Sequence, residues 1–299
     1  MTDLVAEGNQ KKKSQLRGKP PAAIEKRLKL FLFGDYGTGK TTAALSFPQS
    51  YIFDCEKGAE NDSYVELMNK GKSSILQTND TDEITSELRS LISEDHSYKT
   101  IVLDPVTTLE ADLIEKAQKK YTGDGDMRIW RDRDQALRRI SNLLLKADMN
   151  VVVTAHGKID YGPNMTKLGT TFDGWKRWPY LFDIVIELKR VGKDRVGFIR
   201  KTRVSNFVDG EDFKWSYEEF RRRYGNVIER DAKSLRLATK GQIVEINYLI
   251  DILKLPEDTV EKWKSKAAAD SWDEFPEETI QKCIDFCHKL IKGNNKEAK

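Results

Sequence analysis

The sequence predicts an α/β fold with a mostly parallel central sheet flanked by helices, and three observations support this prediction. Short apolar segments recur through residues 28–203, and segments with helical periodicity lie between them. The apolar segments are continuous rather than alternating with polar residues, which is typical of strands buried on both faces of a parallel sheet. A glycine-rich turn follows the first apolar segment and leads directly into a helix. Together these features predict a chain of strand–helix–strand units.

The apolar runs and the helical spacings place the elements of this core in order. The predicted strands are Leu28–Phe33, Tyr51–Phe53, Thr100–Leu103, Val151–Ala155, Ile184–Leu188 and Val196–Ile199. The predicted helices are one through Ala43–Leu45, then Ile84–Ile92, Leu109–Lys120 and Gln135–Ala147. The last two strands are joined by a turn at residues 192–194 and are expected to form a hairpin.

Changes in composition along the chain predict its domain organisation. Residues 1–27 are basic and rich in small and polar residues, so we expect a flexible arm. Residues 28–234 form the predicted α/β domain, which ends in a polar and aromatic connection with one helix near Glu218–Tyr224. Residues 235–292 contain only helical patterns and predict a small all-helical C-terminal module, followed by a disordered tail at 293–299.

Composition and charge exclude several classes of protein. The chain has 299 residues, of which 38% are hydrophobic and 33% charged, which excludes a disordered chain. No apolar run reaches the roughly 20 residues that a membrane span requires, and the N-terminal segment lacks the apolar stretch of a secretory signal. The three cysteines, Cys55, Cys283 and Cys287, are too scattered for a disulfide framework, so we expect a cytoplasmic protein. Residues 150–203 hold eleven Lys and Arg against five Asp and Glu, which favours a polyanionic partner.

The clearest motif is a phosphate-binding loop between the first strand and the first helix. It matches the pattern G-x-x-x-x-G-K-[ST] with Gly34, Asp35, Tyr36, Gly37, Thr38, Gly39, Lys40 and Thr41. Such a loop wraps its backbone N–H groups around the phosphates of ATP, and the helix N-terminus adds positive charge. Lys40 is expected to contact the β- and γ-phosphates, Thr41 to bind Mg²⁺, and Thr42 to bind a phosphate oxygen.

Two acidic residues at the ends of other strands complete the predicted ATP site. Asp104 ends the strand Thr100–Leu103 and is the predicted second Mg²⁺ ligand, the Walker B residue. The residue after it is Pro105 rather than the glutamate that activates water in one branch of these ATPases. Glu56, which closely follows the strand Tyr51–Phe53, is therefore the predicted general base for the attacking water.

With this order of motifs, residues 28–203 resemble the core of RecA-like recombinases. They look closest to short bacteriophage RecA-like P-loop ATPases of the phage nucleotide-binding or AAA-domain type, some of which act in single-strand annealing recombination. The resemblance implies that His156 replaces the usual glutamine that senses the γ-phosphate. It implies that Lys201 and Arg203 reach the ATP of a neighbouring subunit, so that the active site of a homo-oligomer lies at the subunit interface.

The resemblance also implies two DNA-binding loops, at Tyr121–Arg133 and Lys158–Pro179. In the first, the candidate residues are Arg128, Trp130, Arg131 and Arg133. In the second, they are Lys158, Tyr161, Lys167, Phe172, Trp175, Lys176 and Arg177. Mixed cations and aromatic rings suit single-stranded DNA, because cations contact phosphates and rings stack on bases. The alternative is that the tryptophans of the second segment pack in the core.

These observations predict an ATP phosphohydrolase that acts in phage DNA recombination in the host cytoplasm. We expect it to bind single-stranded DNA and to be stimulated by it. Its other expected partners are phage single-strand-binding, replication or recombination proteins. We expect no association with a membrane. Two alternatives remain open, because motifs do not separate ATP binding from turnover. One is a non-hydrolysing DNA-coating or scaffold protein, and the other is a P-loop kinase for a nucleoside or small metabolite.

Overall fold

A nine-stranded sheet lies at the centre of the computed structural model, which describes residues 26–59, 61–121 and 126–297. The strands run in the spatial order β3-β2-β4-β5-β1-β7-β8-β9, and β6 pairs with β5 outside this path. They are β1 Lys29–Gly34, β2 Ser50–Asp54, β3 Ser74–Gln77, β4 Thr100–Asp104, β5 Asn150–Tyr161, β6 Lys167–Phe172, β7 Ile184–Val191, β8 Asp194–Thr202 and β9 Asp212–Lys214. The strands from β3 to β7 along this order are parallel, and β6, β8 and β9 pair antiparallel. The predicted mostly parallel sheet is confirmed.

Helices cover both faces of the sheet and form the C-terminal part of the chain. They are α1 Lys40–Leu45, α2 Asp62–Gly71, α3 Thr81–Ser93, α4 Val106–Lys120, α5 Met127–Lys146, α6 Trp178–Leu181, α7 Tyr217–Tyr224, α8 Lys240–Leu253, α9 Glu257–Ala267 and α10 Glu277–Glu297. Short polar side chains cap several N-termini; Asp80 accepts hydrogen bonds from two backbone N–H groups of α3, and Thr239 forms a capping box with Gln242 on α8. Within the described ranges, no helix has the length and apolar character needed to cross a membrane.

The central strands are buried on both faces, which explains their continuous apolar sequence. In β4, Ile101 and Leu103 join the core against α3, α4 and α5, whereas Val102 joins the core against α1 and α7. Phe31 and Leu32 of β1 divide between the two cores in the same way. Successive side chains of a strand point to opposite faces, so a strand between two helical layers needs apolar residues throughout.

Of the elements above, five were not predicted: β3, α2 and β6, which lack the apolar pattern used for prediction, and the short α6 and β9, which have four and three residues. The residues of β3 are at best half-buried because this strand lies at the edge of the sheet. Helix α2 buries only Met68. Strand β6 is exposed along its first half and pairs only with the outer part of β5. An element that is buried on one side at most has too weak a hydrophobic periodicity to be recognised in the sequence.

The ends of the described chain differ from the predicted boundaries. Arg27 was assigned to the flexible arm, but its side chain is buried, pairs with Asp148 and donates a hydrogen bond to the carbonyl of Arg230 at 2.7 Å. The rest of the predicted arm, residues 1–25, lies outside the described residues. Helix α10 continues to Glu297, so residues 293–297 of the predicted tail have helical backbone, and 298–299 lie outside the described residues.

The predicted C-terminal helices are present and share a core of their own. Cys283 and Cys287 are buried in it as free thiols. The buried Glu274 connects this part to the sheet, because its carboxylate accepts a 2.5 Å hydrogen bond from Arg139 on α5. Its backbone carbonyl accepts another from Lys146, at 2.6 Å. Helices α8 and α10 are thereby attached to the layer that covers one sheet face.

A buried lysine closes the C-terminal end of α5. Lys29 lies on β1, and its ammonium donates hydrogen bonds to the carbonyls of Leu144, Ala147 and Met149 at 2.8, 3.1 and 3.1 Å. The last carbonyls of a helix have no partner within the helix, and a cation there also interacts favourably with the helix dipole. Lys29 thus connects the central strand to the longest helix of that layer.

Replacing this lysine by an apolar residue of similar length tests its contribution to stability. We expect Lys29→Met to lower the free energy of unfolding by about 2 kcal/mol, because buried carbonyls lose their donor. Urea unfolding followed by circular dichroism would measure it. The control Lys26→Met changes an exposed lysine nearby and should stay within about 0.5 kcal/mol of the wild type. Equal stabilities for the two variants would show that the buried ammonium does not stabilise the fold.

Candidate nucleotide-binding site

The phosphate-binding loop surrounds one side of a cavity of about 610 Å³ between the ends of β1 and α1. Gly37 and Gly39 have φ angles of 67° and 88°, which non-glycine residues rarely adopt. Gly34 is required for another reason, since a Cβ there would lie 2.3 Å from the carbonyl oxygen of Leu188. The loop therefore depends on glycines at these positions.

Lys40 is held at the cavity by the loop itself. Its ammonium donates hydrogen bonds to the carbonyls of Gly34 and Asp35, both at 2.9 Å, and the Thr38 hydroxyl also donates to the carbonyl of Asp35. Burial lowers the pKa of Lys40, and the carboxylates of Asp104, Glu56 and Asp35 oppose that shift. The Lys40 ammonium is therefore poorly solvated, and its hydrogen bonds are to uncharged carbonyl oxygens. This favours exchange of these hydrogen bonds for stronger ones to phosphate oxygens. Tyr36 and Thr42 of the same segment are exposed.

Asp104 lies buried at the floor of the site. It ends β4, and the hydroxyl of Thr154 on β5 donates a short hydrogen bond to it. Burial raises the pKa of Asp104, and the hydrogen bonds from Thr154 and Thr41 act in the opposite direction. A carboxylate beside a hydroxyl at a phosphate site is the oxygen donor set that Mg²⁺ prefers, with phosphates and water as its other ligands. Asp104 and Thr41 therefore fit a Mg²⁺ ion.

Glu56 and His156 contact each other at the edge of the same cavity. His156 Nε2 lies 2.8 Å from Glu56 Oε1, and the Thr108 hydroxyl donates to the same carboxylate oxygen at 2.8 Å. The buried Asp54 shapes the turn before Glu56, because its carboxylate accepts hydrogen bonds from the backbone N–H groups of Glu56 and Ala59. Both predicted catalytic side chains are about half exposed and line the cavity with Lys40.

The sheet order explains why residues from distant parts of the chain meet here. Strand β5 lies between β1 and β4, and Gly34 is the register partner of His156. The carboxyl ends of parallel strands share one edge of the sheet, where α/β proteins usually bind ligands. Gly157 allows the close approach, since a Cβ there would lie 2.8 Å from the carbonyl carbon of Gly34.

Several residues of the site carried no sequence signal. Arg195 of β8 lines the cavity and lies over the phosphate loop, so that a Cβ on Gly39 would be 3.3 Å from its Nε. Its guanidinium makes no hydrogen bond or ion pair within the described residues. Thr107 and Thr108, at the start of α4, contact the backbone of His156 and the carboxylate of Glu56. These contacts arise from tertiary packing; the position of Thr107 and Thr108 soon after Asp104 is the only signal that points to them.

Lys201 and Arg203, which were predicted to reach a neighbouring subunit, are engaged within their own chain. The Lys201 ammonium donates to the carbonyls of Pro179 and Phe182 at 2.5 and 2.7 Å. Arg203 pairs with Asp183 at 3.3 Å. Neither residue lines the cavity around Lys40. Burial lowers the pKa of Lys201, and the nearby Arg203 lowers it further.

Much of the first predicted DNA loop is helical. Of Tyr121–Arg133, residues 122–125 lie outside the described residues, and α5 begins at Met127. The side chain of Arg128 bonds to Asp126, the N-cap of this helix. Trp130 and Arg131 are exposed.

Arg133 of the same segment faces inward. Its guanidinium pairs with Glu110 of α4 at 3.1 Å and with the adjacent Asp134 at 2.7 Å. It also lies over the Trp130 ring, 4.7 Å from its centre. The Arg133 charge is therefore already paired, whereas Trp130 and Arg131 offer an exposed ring and an exposed cation.

The second predicted DNA loop contains a β-hairpin made by the outer part of β5 and by β6. Tyr161 and Lys167 are exposed near its tip, and Lys158 pairs with Asp173 at 2.8 Å. Lys176 and Arg177, beyond the hairpin, are exposed.

Two aromatic residues assigned to this DNA loop lie instead against the core. Trp175 is only 5% exposed, so its ring is not available to stack on a base. Phe172 packs on Phe31 of β1 with ring centres 5.2 Å apart. Apolar surface at the foot of the hairpin is covered by the sheet, and the packing alternative applies to both residues. Trp178 and Phe182 are also buried.

Comparison with known proteins shows to which family the chain belongs. A family described as an AAA domain matches residues 26–213. The chain belongs to this family. As an AAA-domain P-loop NTPase it is a nucleotide-binding protein, in agreement with the geometry of its phosphate loop. A comparison with curated proteins gave no match.

Solved structures that resemble this AAA-domain protein are distant. One is the RadB recombinase, with 19% identity and a TM-score of 0.41 over 62% of this chain and 86% of that one. Another is an ATPase from the type III secretion system of pathogenic bacteria, with 10% identity and a TM-score of 0.40 over 86% and 80% of the two chains. A third is the conjugation coupling protein TcpA of pCW3, with 11% identity and a TM-score of 0.35 over 65% and 62%. Likenesses at these values carry no information on function.

Removing the charge of Glu56 tests its position beside the phosphate loop. We expect Glu56→Gln to lower kcat for ATP hydrolysis by about 10²–10⁴-fold, the usual contribution of a general base. ATP affinity should change little, because the phosphate loop is intact. Steady-state phosphate release and calorimetric ATP titration would measure the two effects. Glu66→Gln, an exposed glutamate on α2, is the matched control. Loss of ATP binding by Glu56→Gln would assign Glu56 a structural role instead.

The close approach of Gly157 to the phosphate loop gives a second test. A Cβ at residue 157 forces the backbone at Gly34 to move, and overpacking of this kind costs about 1–3 kcal/mol. We therefore expect Gly157→Ala to weaken ATP binding by about tenfold. Gly241→Ala on α8, where the nearest atom to the added Cβ is 3.9 Å away, is the control. Wild-type affinity in Gly157→Ala would contradict the contact between β5 and the loop.

Proposed function

We propose that this AAA-domain protein is an ATP-hydrolysing protein of phage DNA recombination. It binds single-stranded DNA through elements coupled to its nucleotide site. The single observation that carries the ATPase part is the Glu56–His156 pair, 2.8 Å apart, on the rim of the cavity that contains Lys40. A carboxylate beside the position of the γ-phosphate provides a base for the attacking water, and a P-loop that served binding alone has no need of it. The role in phage recombination rests on the sequence resemblance.

Each residue of the site has a chemical role in this proposal. Lys40 and the loop N–H groups hold the phosphates, and Glu56 accepts the proton of the attacking water. His156 lies where it can donate a hydrogen bond to a phosphate oxygen as well as to Glu56. Asp104 and Thr41 hold Mg²⁺, which neutralises the phosphate charge when bound. Thr108 positions Glu56 through its hydroxyl.

The same helix turn that holds Glu56 also holds the hairpin. Thr107 accepts a hydrogen bond from the backbone N–H of His156 at 2.9 Å and donates one to the carbonyl of Asp173 at 2.8 Å. The N–H of Asp173 in turn donates to the carbonyl of His156 at 2.7 Å. A shift of His156 on nucleotide binding therefore moves the base of the hairpin directly. This contact supports coupling between ATP and the proposed DNA-binding elements.

A second contact extends this coupling to the other predicted DNA segment. The buried Glu110 of α4 accepts a hydrogen bond from the N–H of Trp175 at 2.6 Å and pairs with Arg133 of α5. Burial raises the pKa of Glu110, and Arg133 together with the Trp175 N–H favours its charged form. The hairpin base and the start of α5 are thus held by one carboxylate, and we propose that they move together.

Exposed rings and cations at these two elements support binding to single-stranded nucleic acid. The hairpin presents Tyr161 and Lys167, and the start of α5 presents Trp130 and Arg131. Rings stack on any base and cations contact phosphates, so this composition favours binding without sequence preference. Assembly into a homo-oligomer with the active site at the subunit interface, and contacts with other replication or recombination proteins, are further parts of the proposal.

Steady-state ATP hydrolysis with Mg²⁺, with and without an unstructured single-stranded oligonucleotide, tests the proposal at two salt concentrations. We expect the oligonucleotide to stimulate turnover, and the stimulation to fall at higher salt because phosphate contacts release counterions. Turnover indifferent to DNA would contradict the DNA-dependent part. ATP binding without turnover would favour a scaffold protein.

A hairpin variant locates the DNA site. We expect Tyr161→Ala combined with Lys167→Gln to weaken oligonucleotide binding by about tenfold or more, because a stacked base contributes roughly 1–3 kcal/mol. Basal ATP hydrolysis should be unchanged, since neither residue lines the cavity around Lys40. Tyr248→Ala combined with Lys240→Gln alters an exposed tyrosine and lysine on α8 and serves as control. Fluorescence anisotropy would measure binding, and equal losses in both double variants would remove the hairpin from the DNA site.

A further inference from the structure

A second cavity opens beside the phosphate loop, along α1. We call it the α1 groove; it measures about 410 Å³, within the range of small-molecule sites. One wall is the face of α1 between its caps Gly39 and Ser46, and the other comes from the turn before β8, β8 itself and the segment after β9. Its lining residues are Gly39, Thr42, Ala43, Ser46, Lys193, Arg195, Trp215, Ser216 and Tyr217. Gly39, Thr42 and Arg195 also line the phosphate cavity, so the two spaces share a boundary.

We propose that the ribose and base of the bound nucleoside triphosphate lie in the α1 groove, with Arg195 at the boundary contacting the phosphates. This inference deepens the proposed function and rests on it. The phosphate loop accounts for the phosphates of ATP and leaves the nucleoside without an assigned site. The α1 groove begins where the loop ends, at Gly39 and Thr42. It is therefore the space that a nucleoside reaches when its phosphates occupy the loop.

Arg195 provides the first argument. It is half-buried, and its guanidinium makes no hydrogen bond or ion pair with any described residue. The groove lining contains a second cation, Lys193, and no carboxylate. A partly desolvated guanidinium without an acceptor is costly unless an anion binds there. Its position over Gly39 places that anion at the phosphate loop.

Trp215 provides the second argument. It is half-buried, and its ring packs against Phe213 and Phe220 with ring centres 5.9 and 5.5 Å apart. Its backbone N–H donates to the carbonyl of Arg195 at 2.7 Å, which fixes the two residues relative to each other. A rigid aromatic ring at the wall of a groove beside a cation is a stacking surface for a nucleobase.

A third cavity next to the loop is less suitable. It measures about 550 Å³ and lies on the other side, between Asp35, Tyr36 and the ends of β6 and β7. Its lining balances the carboxylates of Asp35 and Glu187 against the cations of Lys189 and Arg190, so it lacks the net positive charge of the α1 groove. Its aromatic residue, Tyr36, is 97% exposed and is not held against a wall. Charge and stacking surface therefore both favour the α1 groove.

The groove also predicts weak selection among bases. Apart from Thr42, which is expected to bind a phosphate oxygen, its hydroxyl groups are already engaged: Ser46 donates to the carbonyl of Ala43, Ser216 accepts from the N–H of Glu219, and Tyr217 donates to Glu229. Strong discrimination requires buried polar groups directed at the edge of the base, whereas stacking accepts any base. We expect ATP and GTP to bind with affinities within about tenfold of each other.

Calorimetric titration of the full chain with Mg²⁺ and either ATP, GTP or inorganic tripolyphosphate tests the inference. Tripolyphosphate occupies the phosphate loop without a nucleoside, so the wild type should bind it at least about tenfold more weakly than ATP. Trp215→Leu should weaken ATP binding by about tenfold and leave tripolyphosphate within about twofold. Trp215→Phe keeps a ring and should retain most of the ATP affinity. Arg195→Gln should weaken both ligands.

Matched variants and outcomes separate the inference from the proposed function. Lys214→Gln changes an exposed cation next to Trp215 and should bind like the wild type. If ATP and tripolyphosphate bind equally well, or if Trp215→Leu affects both or neither, the α1 groove is not the nucleoside site and the phosphate loop assignment stands. If the wild type binds neither ligand, both the inference and the proposed function are overturned. Thermal unfolding of each variant shows that it is folded.

Discussion

The register of β5 between β1 and β4 is the constraint on which the rest of the site depends. It pairs Gly34 with His156 on one side and Leu103 with Val153 on the other, so the ends of β1 and β4 meet the middle of β5 at one edge of the sheet. A one-residue slip would reverse every side chain on β5 and move each apolar residue into the core on the opposite face of the sheet. The two apolar cores therefore hold the register, and the register holds the catalytic geometry. Gly157 lets the strands meet at contact distance where the phosphate loop begins.

Residues at the start of α4 connect the side chains and backbone groups that meet at this edge of the sheet. The turn follows directly from Asp104, and within a few residues it contacts Glu56, the backbone of His156 and the base of the hairpin. Each contact uses a hydroxyl or carboxylate that is fixed by a rigid helix, so a displacement at one partner is transmitted to the others. Buried polar groups in such a network are costly unless every member is paired.

The fold was predictable because a strand that is buried on both faces requires a continuous run of apolar residues, which is visible in the sequence. The strands β1, β2, β4, β5 and β7 all carry that pattern, and the phosphate loop adds a motif whose chemistry requires specific residues. Edge strand β3 and hairpin strand β6 bury too little to leave a period. Glu56 and His156 were predictable because strand ends identify the ligand edge of a parallel sheet. Thr107, Glu110 and Arg195 were not, because their partners come from elements distant in sequence.

The cationic side chains show most clearly that the sequence does not reveal which charges are already paired within the fold. Lys29 lies on β1, Lys201 lies on β8 as Arg195 does, and Arg203 directly follows β8. The family resemblance implied a role at the ATP of a neighbouring subunit for Lys201 and Arg203. In the structure Lys29 and Lys201 donate to backbone carbonyls, and Arg203 pairs with a carboxylate. Moving Lys29 would leave buried carbonyls unsatisfied, and the charges of Lys201 and Arg203 are engaged within their own chain. Arg195 has no such partner among the described residues, and it lies against the phosphate loop. The availability of a charge to a ligand therefore depends on which acceptors the fold already supplies, and that is decided only when the strands are assembled.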